Sequence, residues 1–586
     1  MKVLLTAINA KYIHSNLAVY SLRANLGKYK DKVPLKEYTI NHQREDVIQD
    51  IYKEQPDVLA ISCYIWNIDF IQDILRDIKK VLPHTDIWLG GPEVSYLSEQ
   101  FLRENSYVKG IIRGEGEVTF CELVSHYVDK ELDLSEICGL SYISEGKIHS
   151  NPDRVLSNLD DLAFAYEDLT DFENRIIYYE SSRGCPYSCA YCLSSVDKSV
   201  RFRSLSLVEK ELLFFIHHKV PQVKFVDRTF NCSHAHAMGV FELIKKHDNG
   251  ITNFHFEISA DILNEEELKF LSTLRPGLVQ LEIGVQSVNE QTISAIHRKT
   301  SFEKLKKNVS FIKKQGNIHQ HLDLIAGLPY EDYKSFAMSF NAVYDMRPEQ
   351  LQLGFLKVLK GASMYEVQGK YGIIYSSKPP YEVLGTNWLS FDDIIRLKQV
   401  EEMVEVYYNS MQFVRTMEFL LPFFDHAFAM YERLGDYYEE NGLFSVSHSR
   451  MARYEILLRF VKEKLLPKQG EEKREDRFHC LKECLLYDLY LRENLKNRPQ
   501  WADSQESYKD DIRRFYKKEA LEKKYLSDYE KTEEKQLYRM THLEVFHYDV
   551  QDSFEKKVLP VLFDYQNRSP LSHEAKTFLV EELTTL

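Results

Sequence analysis

The chain has 586 residues, of which 44% are hydrophobic and 28% are charged, a globular composition with the length of roughly three to five domains. No apolar run approaches the ~20 residues that cross a bilayer, and the start, MKVLLTAINAKYIHSN, lacks a signal-peptide pattern, so we expect a cytoplasmic protein with reduced thiols. The formal net charge of −14 argues against broad nucleic-acid binding through a basic surface.

Residues 1–150 alternate strand-like runs with amphipathic helical segments. The strand-like runs are KVLLTAI, LKEYTI, DVLAISCYI, DIWLGG and VKGII, and segments such as FIQDILRDIKKVL follow them. The alternation predicts parallel βαβ units in a doubly wound, Rossmann-like α/β sheet. Ligands of such sheets gather at the carboxyl ends of the strands, here residues 6–9, 62–66, 90–93 and 114–117. The glycines there either let a ligand approach the backbone or only close tight turns.

A second alternating series occupies residues 173–388, after a hairpin-like stretch and a polar connector at 151–172. Its strand-like runs are RIIYYESS, VKFVDRTF, FHFEISADI, LVQLEIGVQS, HQHLDLIAGLP and LQLGFLKVL. Six βα units are too few for a closed eightfold barrel. They predict an open, partial (β/α)6 TIM-like barrel with its site at the carboxyl ends of the strands.

The segment RGCPYSCAYC follows the first strand of this series and holds Cys185, Cys189 and Cys192 with the spacing C-x3-C-x2-C. A structural zinc site usually needs four ligands, and a C-x-x-C redox pair leaves Cys185 without a role. A disulfide framework is disfavoured in a reducing compartment. Three thiolates on a [4Fe–4S] cluster leave one iron open to bind another group. The spacing alone leaves these alternatives open.

The cysteine segment, with Tyr191 before its last cysteine, resembles the signature of radical S-adenosylmethionine (SAM) enzymes. The later runs VDRTFN, EIGVQS, DLIAGLP and LKVLKG resemble the same family, over residues 175–366. The resemblance implies that the open iron chelates SAM and that one-electron reduction yields a 5′-deoxyadenosyl radical. It also implies an external reductant of the flavodoxin or ferredoxin type.

The same resemblance implies a set of SAM contacts on the later strands: Asp227, Glu257, Gln286, Arg298, Ile325, Gly327 and Leu356. The family's second-strand Gly-Gly-Glu is replaced here by Asp227-Arg228-Thr229. This departure leaves the contact to the methionyl amine unassigned.

The N-terminal sheet resembles the cobalamin-binding domain that precedes the barrel in one subclass of these enzymes. The matching positions are Ser62, Tyr64, Gly90, Gly91, Pro92, Glu93, Gly114, Glu115, Gly116 and Glu117. The D-x-H-x-x-G motif that supplies a cobalt ligand is missing, because the loop reads NAKYIHSN with His14 in no such frame. We therefore expect base-off cobalamin without a histidine ligand. The alternative is that the domain has lost cobalamin.

Residues 389–586 are predicted to be mostly α-helical, with a charged linker, QGEEKRED, and two late strands, HLEVFHYDV and VLPVLFDYQNRS. This layout resembles an uncharacterised C-terminal domain that follows such enzymes in some bacteria. Cys480 and Cys484 lie four residues apart beside His479. With no second pair nearby, two core cysteines are favoured over a metal site.

The resemblance implies an enzyme that modifies an unactivated carbon, most commonly by methyl transfer. The same parts also serve rearrangement, cyclisation or oxidoreduction. A non-catalytic regulatory protein that binds cobalamin or a cluster is the alternative from another class. The substrate class remains open among a small metabolite, a peptide and an RNA.

Overall fold

The computed structural model describes residues 1–466, 471–529 and 532–583, with the side chains of residues 471 and 472 left out. The chain divides into two compact units. The first comprises residues 1–318, 325–335 and 354–391, and the second comprises residues 319–324, 336–353 and 392–586. Within the described residues, no helix combines the length and apolarity needed to cross a membrane.

A seven-stranded sheet begins the first unit. Its strands are β1 (Val3–Asn9), β2 (Leu35–Thr39), β3 (Val58–Ser62), β4 (Asp86–Gly90), β5 (Gly110–Ile112), β6 (Leu140–Ser144) and β7 (Lys147–Ser150). Their order is β2-β1-β3-β4-β5-β6-β7. The first five pair in parallel, and the β6–β7 hairpin extends the sheet in antiparallel fashion. The helices are α1 (Leu17–Ala24), α2 (Arg44–Glu54), α3 (Ile68–Val81), α4 (Pro92–Ser95), α5 (Ser98–Glu104) and α6 (Glu117–Val128).

Side chains alternate between the two faces of this sheet, as the period of two residues in a strand requires. Leu4 of β1 belongs to an apolar cluster with residues of α2, α3 and α5. Its neighbour Leu5 belongs to a second cluster, with residues of α1 and α6. Helices therefore cover both faces, and the predicted doubly wound sheet is confirmed.

The partial barrel follows. Its strands and the short ribbon beside the cysteines are β8 (Ile177–Tyr179), β9 (Ser182–Arg183), β10 (Arg201–Phe202), β11 (Gln222–Phe225), β12 (Asn253–Ile258), β13 (Val279–Gln286), β14 (His319–Ala326) and β15 (Gln350–Phe355). The helices are α7 (Leu205–His217), α8 (His234–Lys246), α9 (Glu265–Leu271), α10 (Glu290–Ala295), α11 (Phe302–Gln315), α12 (Tyr333–Tyr344) and α13 (Ser363–Val367).

The barrel sheet has six strands, which confirms the partial (β/α)6 prediction. Strands β8, β11, β12 and β13 pair in parallel. Strand β11 ends at Phe225, earlier than the run VKFVDRTF predicted. Asp227, Arg228 and Thr229 consequently lie in the loop beyond the carboxyl end of that strand.

The rest of the chain is mostly helical, as predicted. After the short strands β16 (Ile374–Tyr375) and β17 (Val383–Gly385) come the helices α14 (Phe391–Val404), α15 (Val414–Leu420), α16 (Ala427–Glu440), α17 (Arg450–Phe460), α18 (Glu471–Arg492), α19 (Lys509–Glu522) and α20 (Glu534–Met540). An antiparallel sheet closes the series: β18 (Thr541–Tyr548), β19 (Lys556–Arg568) and β20 (Ala575–Leu579).

Two details of the C-terminal prediction are wrong. Strand β20 was missed, and most of the predicted linker QGEEKRED is the beginning of α18, which starts at Glu471. Gln469 and Gly470 lie outside the described residues. Glutamate, lysine and arginine are good helix formers, so a charged run on an exposed face is compatible with either state.

Cys480 and Cys484 are buried in α18, with 2% and 0% of their surfaces exposed, and both are free thiols. The Cys480 Sγ lies 3.7 Å from the carbonyl oxygen of Phe554. Among the residues that the structure describes, no third histidine, cysteine or carboxylate completes a metal-ligating group with them. Their environment is that of core cysteines.

Candidate active site

The cysteine loop lies between β9 and β10, beyond the carboxyl end of β8. Gly184 begins it with φ +99°, and a Cβ atom there would lie 2.5 Å from the carbonyl oxygen of Ser199, so the turn requires glycine. The Cys185 N–H donates to the Asp197 carbonyl oxygen at 3.0 Å. The Ser195 hydroxyl donates to the carbonyl oxygens of Cys189 and Cys192. Backbone and hydroxyl groups thus hold the loop in one shape.

The three thiols are free. Cys185 and Cys189 are buried, and Cys192 is partly exposed. Burial raises the pKa of the Cys189 thiol, and the Arg298 guanidinium opposes that rise from 3.9 Å. Three unbridged thiols in one loop fit the donor set of a [4Fe–4S] cluster with one open iron.

Gln286 and Arg298 meet at the carboxyl end of β13, next to Cys189. Arg298 Nη2 donates to the Gly284 carbonyl oxygen at 2.6 Å, while its buried Nε has no hydrogen-bond partner. Gln286 has φ +70°, and its buried Oε1 also lacks a partner. Unpaired buried polar atoms are costly, so two of them beside the cysteine loop fit a polar cofactor group such as the methionyl part of SAM.

Two other predicted SAM residues, Asp227 and Glu257, have different environments. Asp227 is fully buried, and its carboxylate accepts hydrogen bonds from the Ser181 N–H and from the hydroxyls of Ser181 and Ser182. Burial raises the pKa of Asp227 to about 6. Asp227 therefore holds the segment that follows β8 through Ser181 and Ser182. Glu257 instead lines a large open cavity.

The last two barrel strands hold the remaining predicted SAM residues. Ile325 belongs to β14, Gly327 follows β14, and Leu356 follows β15. Leu356 donates to the Ala326 carbonyl oxygen and accepts from the Val383 N–H. Gly327 has φ +89°, and a Cβ atom there would lie 2.6 Å from Val383 Cγ1. Glycine is thus needed here for packing against β17, and Ile325 is half-buried at the end of β14.

A cavity of about 1250 Å³ joins the cysteine loop to the carboxyl ends of the first sheet. The lining positions that the sequence singled out are Ser62, Tyr64, Gly90, Gly91, Pro92, Gly114, Glu115, Gly116, Glu117 and Glu257. On the barrel side the lining includes Gly184, Leu193 and Ser194 of the cysteine loop. The cavity therefore borders the cysteine loop and Glu257 on the barrel side and the predicted cobalamin positions on the sheet side, whereas the three cysteines, Gln286 and Arg298 are not among its lining residues.

One arm of the cavity runs between the first sheet and two of its helices. Leu5, Ala60 and Trp88 line it from the strands, and Leu22 of α1 and Phe120 of α6 line it from the other side. This apolar arm at the carboxyl edge of a doubly wound sheet fits the nucleotide tail of a base-off cobalamin.

Glu115 and Glu117 were predicted as cobalamin contacts, but their carboxylates bind arginines of the cysteine region. Glu117 Oε1 lies 2.8 Å from Arg183 Nη2, and Glu115 Oε1 lies 2.6 Å from Arg201 Nη2. Arg183 also contacts Glu180 at 2.7 Å. Sequence reasoning missed both arginines, because a charge pair between distant segments leaves no local pattern.

Glu93 and Gly91 are also held by contacts within the protein. Glu93 does not line the cavity; its carboxylate accepts a hydrogen bond from the Tyr381 hydroxyl and lies 3.7 Å from Lys360 Nζ. Burial raises the pKa of Glu93. Gly91 lines the cavity with φ +112°, but a Cβ atom there would lie 2.4 Å from the Cys63 carbonyl oxygen. The fold itself therefore requires this glycine.

His14, which the sequence placed outside a D-x-H-x-x-G frame, lines the cavity and is half-buried. Its Nδ1 is 2.8 Å from the Tyr178 hydroxyl of β8. Burial lowers the pKa of His14, so the ring is more readily neutral.

Three family models match the chain in succession. A B12 binding domain matches residues 3–124, the radical SAM superfamily matches residues 179–343, and a protein of unknown function (DUF4080) matches residues 369–563. The chain combines a B12-binding domain with a radical SAM domain, the architecture of its cobalamin-dependent radical SAM homologues. The first two models coincide with the doubly wound sheet and with most of the partial barrel.

Curated relatives are identical to this chain at about a quarter of the aligned positions. An uncharacterised methyltransferase of Pyrococcus horikoshii is 23% identical over 399 residues, which are 65% of this chain and 84% of that protein. The cobalamin-dependent radical SAM methyltransferase TokK of Streptomyces tokunonensis is 26% identical over 402 residues, which are 62% of this chain and 57% of TokK. The matched region thus spans little more than half of TokK.

A solved structure of the cobalamin-dependent SAM radical enzyme OxsB with aqua-cobalamin bound has the same fold. It superposes with a TM-score of 0.60 and 17% sequence identity, over 88% of this chain and 84% of that chain.

Proposed function

We propose that this enzyme transfers a methyl group to an unactivated carbon of its substrate. The observation that carries the proposal is the single cavity shared by the cysteine loop and the carboxyl ends of the B12-type sheet. When bound, the cluster with SAM supplies a 5′-deoxyadenosyl radical, and cobalamin supplies the methyl group. The methyltransferase names of the relatives support this choice.

The chain's own residues hold and orient these groups in the proposal. Cys185, Cys189 and Cys192 hold the cluster and leave one iron for SAM. Arg298 and Gln286 offer the unpaired polar atoms of their buried side chains to the methionyl carboxylate and the ribose. Because Arg298 lies 3.9 Å from Cys189 Sγ and both side chains lie near Gly284 of β13, they would hold SAM against the cluster.

The sheet side of the cavity would hold cobalamin in the base-off form. Its nucleotide tail occupies the apolar arm between the sheet and the helices α1 and α6. His14 is not a cobalt ligand in this proposal, because it lies outside a D-x-H-x-x-G frame; its Nδ1 is hydrogen-bonded to the Tyr178 hydroxyl on the barrel side.

A low-potential flavodoxin or ferredoxin is the proposed electron donor, since the cluster must be reduced before SAM is cleaved. The proposed domain limits are 1–150 for the B12-type domain, 173–388 for the barrel and 389–586 for the C-terminal domain, with a connector at 151–172.

Anaerobic reconstitution with iron, sulfide and methylcobalamin tests the proposal. With a chemical reductant and SAM labelled on its methyl group, the holoenzyme should release 5′-deoxyadenosine and transfer label to a component of cell extract. Release of 5′-deoxyadenosine without label transfer would favour rearrangement or cyclisation. Absence of both products, in protein that contains cluster and corrinoid, would favour a regulatory binding protein.

A further inference from the structure

Six arginine and lysine side chains line the cavity, and five of them are held by close ion pairs. The five are Arg113 with Asp153, Arg154 with Glu122, Arg183 with Glu117, Arg203 with Glu211, and Lys224 with Glu282, all at 3.0 Å or less. Their side chains are between 9% and 24% exposed. These cations are already neutralised by the protein.

Arg228 is the exception. Its guanidinium has one ion pair, with Glu257 at 3.6 Å, and no hydrogen bond to any described residue. Its side chain is 54% exposed, although the residue lines the cavity. A guanidinium offers five N–H donors in a planar fork. Arg228 therefore presents most of its hydrogen-bonding capacity to the interior of the cavity.

Arg228 lies where the two halves of the cavity meet. It belongs to the loop beyond β11 on the barrel side, in the place of the family's Gly-Gly-Glu. Tyr64 of the B12-type domain also lines the cavity, and the charge of Arg228 opposes the rise that burial causes in the pKa of Tyr64. Tyr64 itself stacks on Trp66, with 4.4 Å between the ring centroids.

We propose that Arg228 binds an oxyanion, a carboxylate or phosphate, carried by the substrate. This inference rests on the proposed function, and it makes the substrate an anionic metabolite rather than a neutral lipid. Planar, bidentate recognition of carboxylate and phosphate is the usual role of an arginine in such a position.

Two other oxyanions belong to the cofactors, and neither is assigned to Arg228. In the proposed function the SAM carboxylate lies by Arg298, which is not among the residues that line the cavity. The nucleotide tail of cobalamin, with its phosphate, would lie towards the arm beside α1 and α6. The substrate is the remaining anionic ligand at the junction.

The test compares Arg228→Gln with Arg228→Lys in reconstituted holoenzyme. Deproteinised cell extract is separated at pH 8 into anion-exchange-retained and unretained fractions, and each is incubated with methyl-labelled SAM. Wild-type enzyme should label a component of the retained fraction. Arg228→Gln should reduce that label at least about tenfold, as expected for a lost charged hydrogen bond, and Arg228→Lys should restore part of it.

SAM affinity by equilibrium dialysis and corrinoid content by absorbance identify the source of the oxyanion. Both should stay within about twofold of wild type in Arg228→Gln. A large loss of SAM affinity or of corrinoid would overturn the proposal in favour of the cofactor oxyanions. Label confined to the unretained fraction, or full transfer by Arg228→Gln, would also overturn it.

A second measurement does not depend on turnover. Phenylglyoxal, a reagent for guanidinium groups, should modify Arg228 faster than the four paired arginines, and the retained fraction should protect Arg228 in holoenzyme while the unretained fraction does not. If wild-type enzyme forms no 5′-deoxyadenosine, the proposed function fails, and this protection still decides whether Arg228 binds an anion. Lack of protection by the retained fraction overturns the inference.

Discussion

Arg183 and Glu117 form an ion pair, with 2.8 Å between Nη2 and Oε1, although 66 positions separate them in the chain. Arg183 stands two residues before Cys185, and Glu117 begins α6 of the B12-type domain. The pair therefore ties the cysteine loop to a turn that borders the same cavity. A change in either turn alters the position of the other.

Removing one partner of this pair should destabilise the enzyme. Glu117 is only 7% exposed, so Glu117→Gln leaves a largely buried guanidinium with less compensation, at a cost of about 3 kcal/mol in the free energy of unfolding. The iron content after reconstitution should also fall. Urea unfolding and iron analysis measure the two effects.

Glu131→Gln is the matched control, because Glu131 pairs with Lys28 at 2.9 Å but is 56% exposed. It should leave the free energy of unfolding essentially unchanged, because an ion pair in water is screened. Equal effects of the two substitutions would show that the Arg183–Glu117 pair has no special structural role.

The cluster ligands can be separated from the other thiols. Replacement of Cys185, Cys189 or Cys192 by alanine should abolish the visible absorbance of the reconstituted cluster. Cys232→Ala is the control, since Cys232 is a free, partly buried thiol outside the C-x3-C-x2-C motif. Retention of about four irons per chain in the triple alanine variant, the content of a [4Fe–4S] cluster, would place it elsewhere, for instance at Cys480 and Cys484.

Sequence reasoning succeeded where the information is local. Alternation of apolar runs located the strands of both sheets, and the cysteine spacing located the loop. It did not reveal contacts whose determinant is tertiary. Glu115, Glu117 and Glu93 are in the predicted turns, but each carboxylate is bound by a residue distant in sequence. The sequence around those glutamates does not indicate that Arg183, Arg201 and Tyr381 are their partners.

Gly91 shows the same limit of sequence reasoning. The sequence left open whether Gly91 admits a ligand or closes a tight turn, and its conformation and its contact with Cys63 already require glycine. The alternation of apolar runs locates the turn that contains the glycine. It does not show which neighbouring residue lies in contact with that glycine. A large residue at Gly91 consequently tests folding and not cofactor binding.

Two adjacent glycines therefore give a decisive comparison. Gly91→Ala should lower the urea midpoint markedly, because the new methyl group would lie 2.4 Å from a backbone oxygen at φ +112°. Gly90→Ala should be tolerated, since its Cβ would meet Ile112 at an ordinary 3.7 Å. Gly90→Leu should then reduce corrinoid retention while cluster content persists. Similar midpoints for the two alanine variants would contradict the assignment of strain to Gly91.

Asp488 should give the C-terminal region a pH-dependent stability. It lies buried in α18 and accepts hydrogen bonds from the Arg415 and Thr416 N–H groups at the start of α15. Burial raises the pKa of Asp488 to about 7. Because the folded pKa exceeds the unfolded value, its contribution is complete below about pH 4 and is lost as the pH rises through about 7.

The difference amounts to at most about 4 kcal/mol, from 1.36 kcal/mol per pKa unit. Urea midpoints of the full chain at pH 5, 6, 7 and 8 measure it. Asp488→Asn should be less stable at pH 5 and should show a flatter decline towards pH 8. Parallel curves for the two proteins would exclude Asp488 as the titrating group.

Cobalt in the holoenzyme should carry no nitrogen ligand from His14. The electron paramagnetic resonance spectrum of the Co(II) form should therefore lack nitrogen superhyperfine splitting, and His14→Ala should leave the spectrum unchanged. The physical reason is that an imidazole on the lower axial face donates electron density to cobalt and favours six-coordination. Without it, a methyl group leaves more readily towards a substrate radical.

The structure adds a readout that distinguishes His14 from an inert surface residue. The hydrogen bond between His14 Nδ1 and the Tyr178 hydroxyl joins the B12-type domain to β8, so His14→Ala should cost about 1 kcal/mol in the free energy of unfolding. Tyr178→Phe removes the same bond without touching the imidazole and should cost a similar amount. Nitrogen splitting in wild type that disappears in His14→Ala but persists in Tyr178→Phe would show that His14 ligates cobalt, and the base-off assignment would then be wrong.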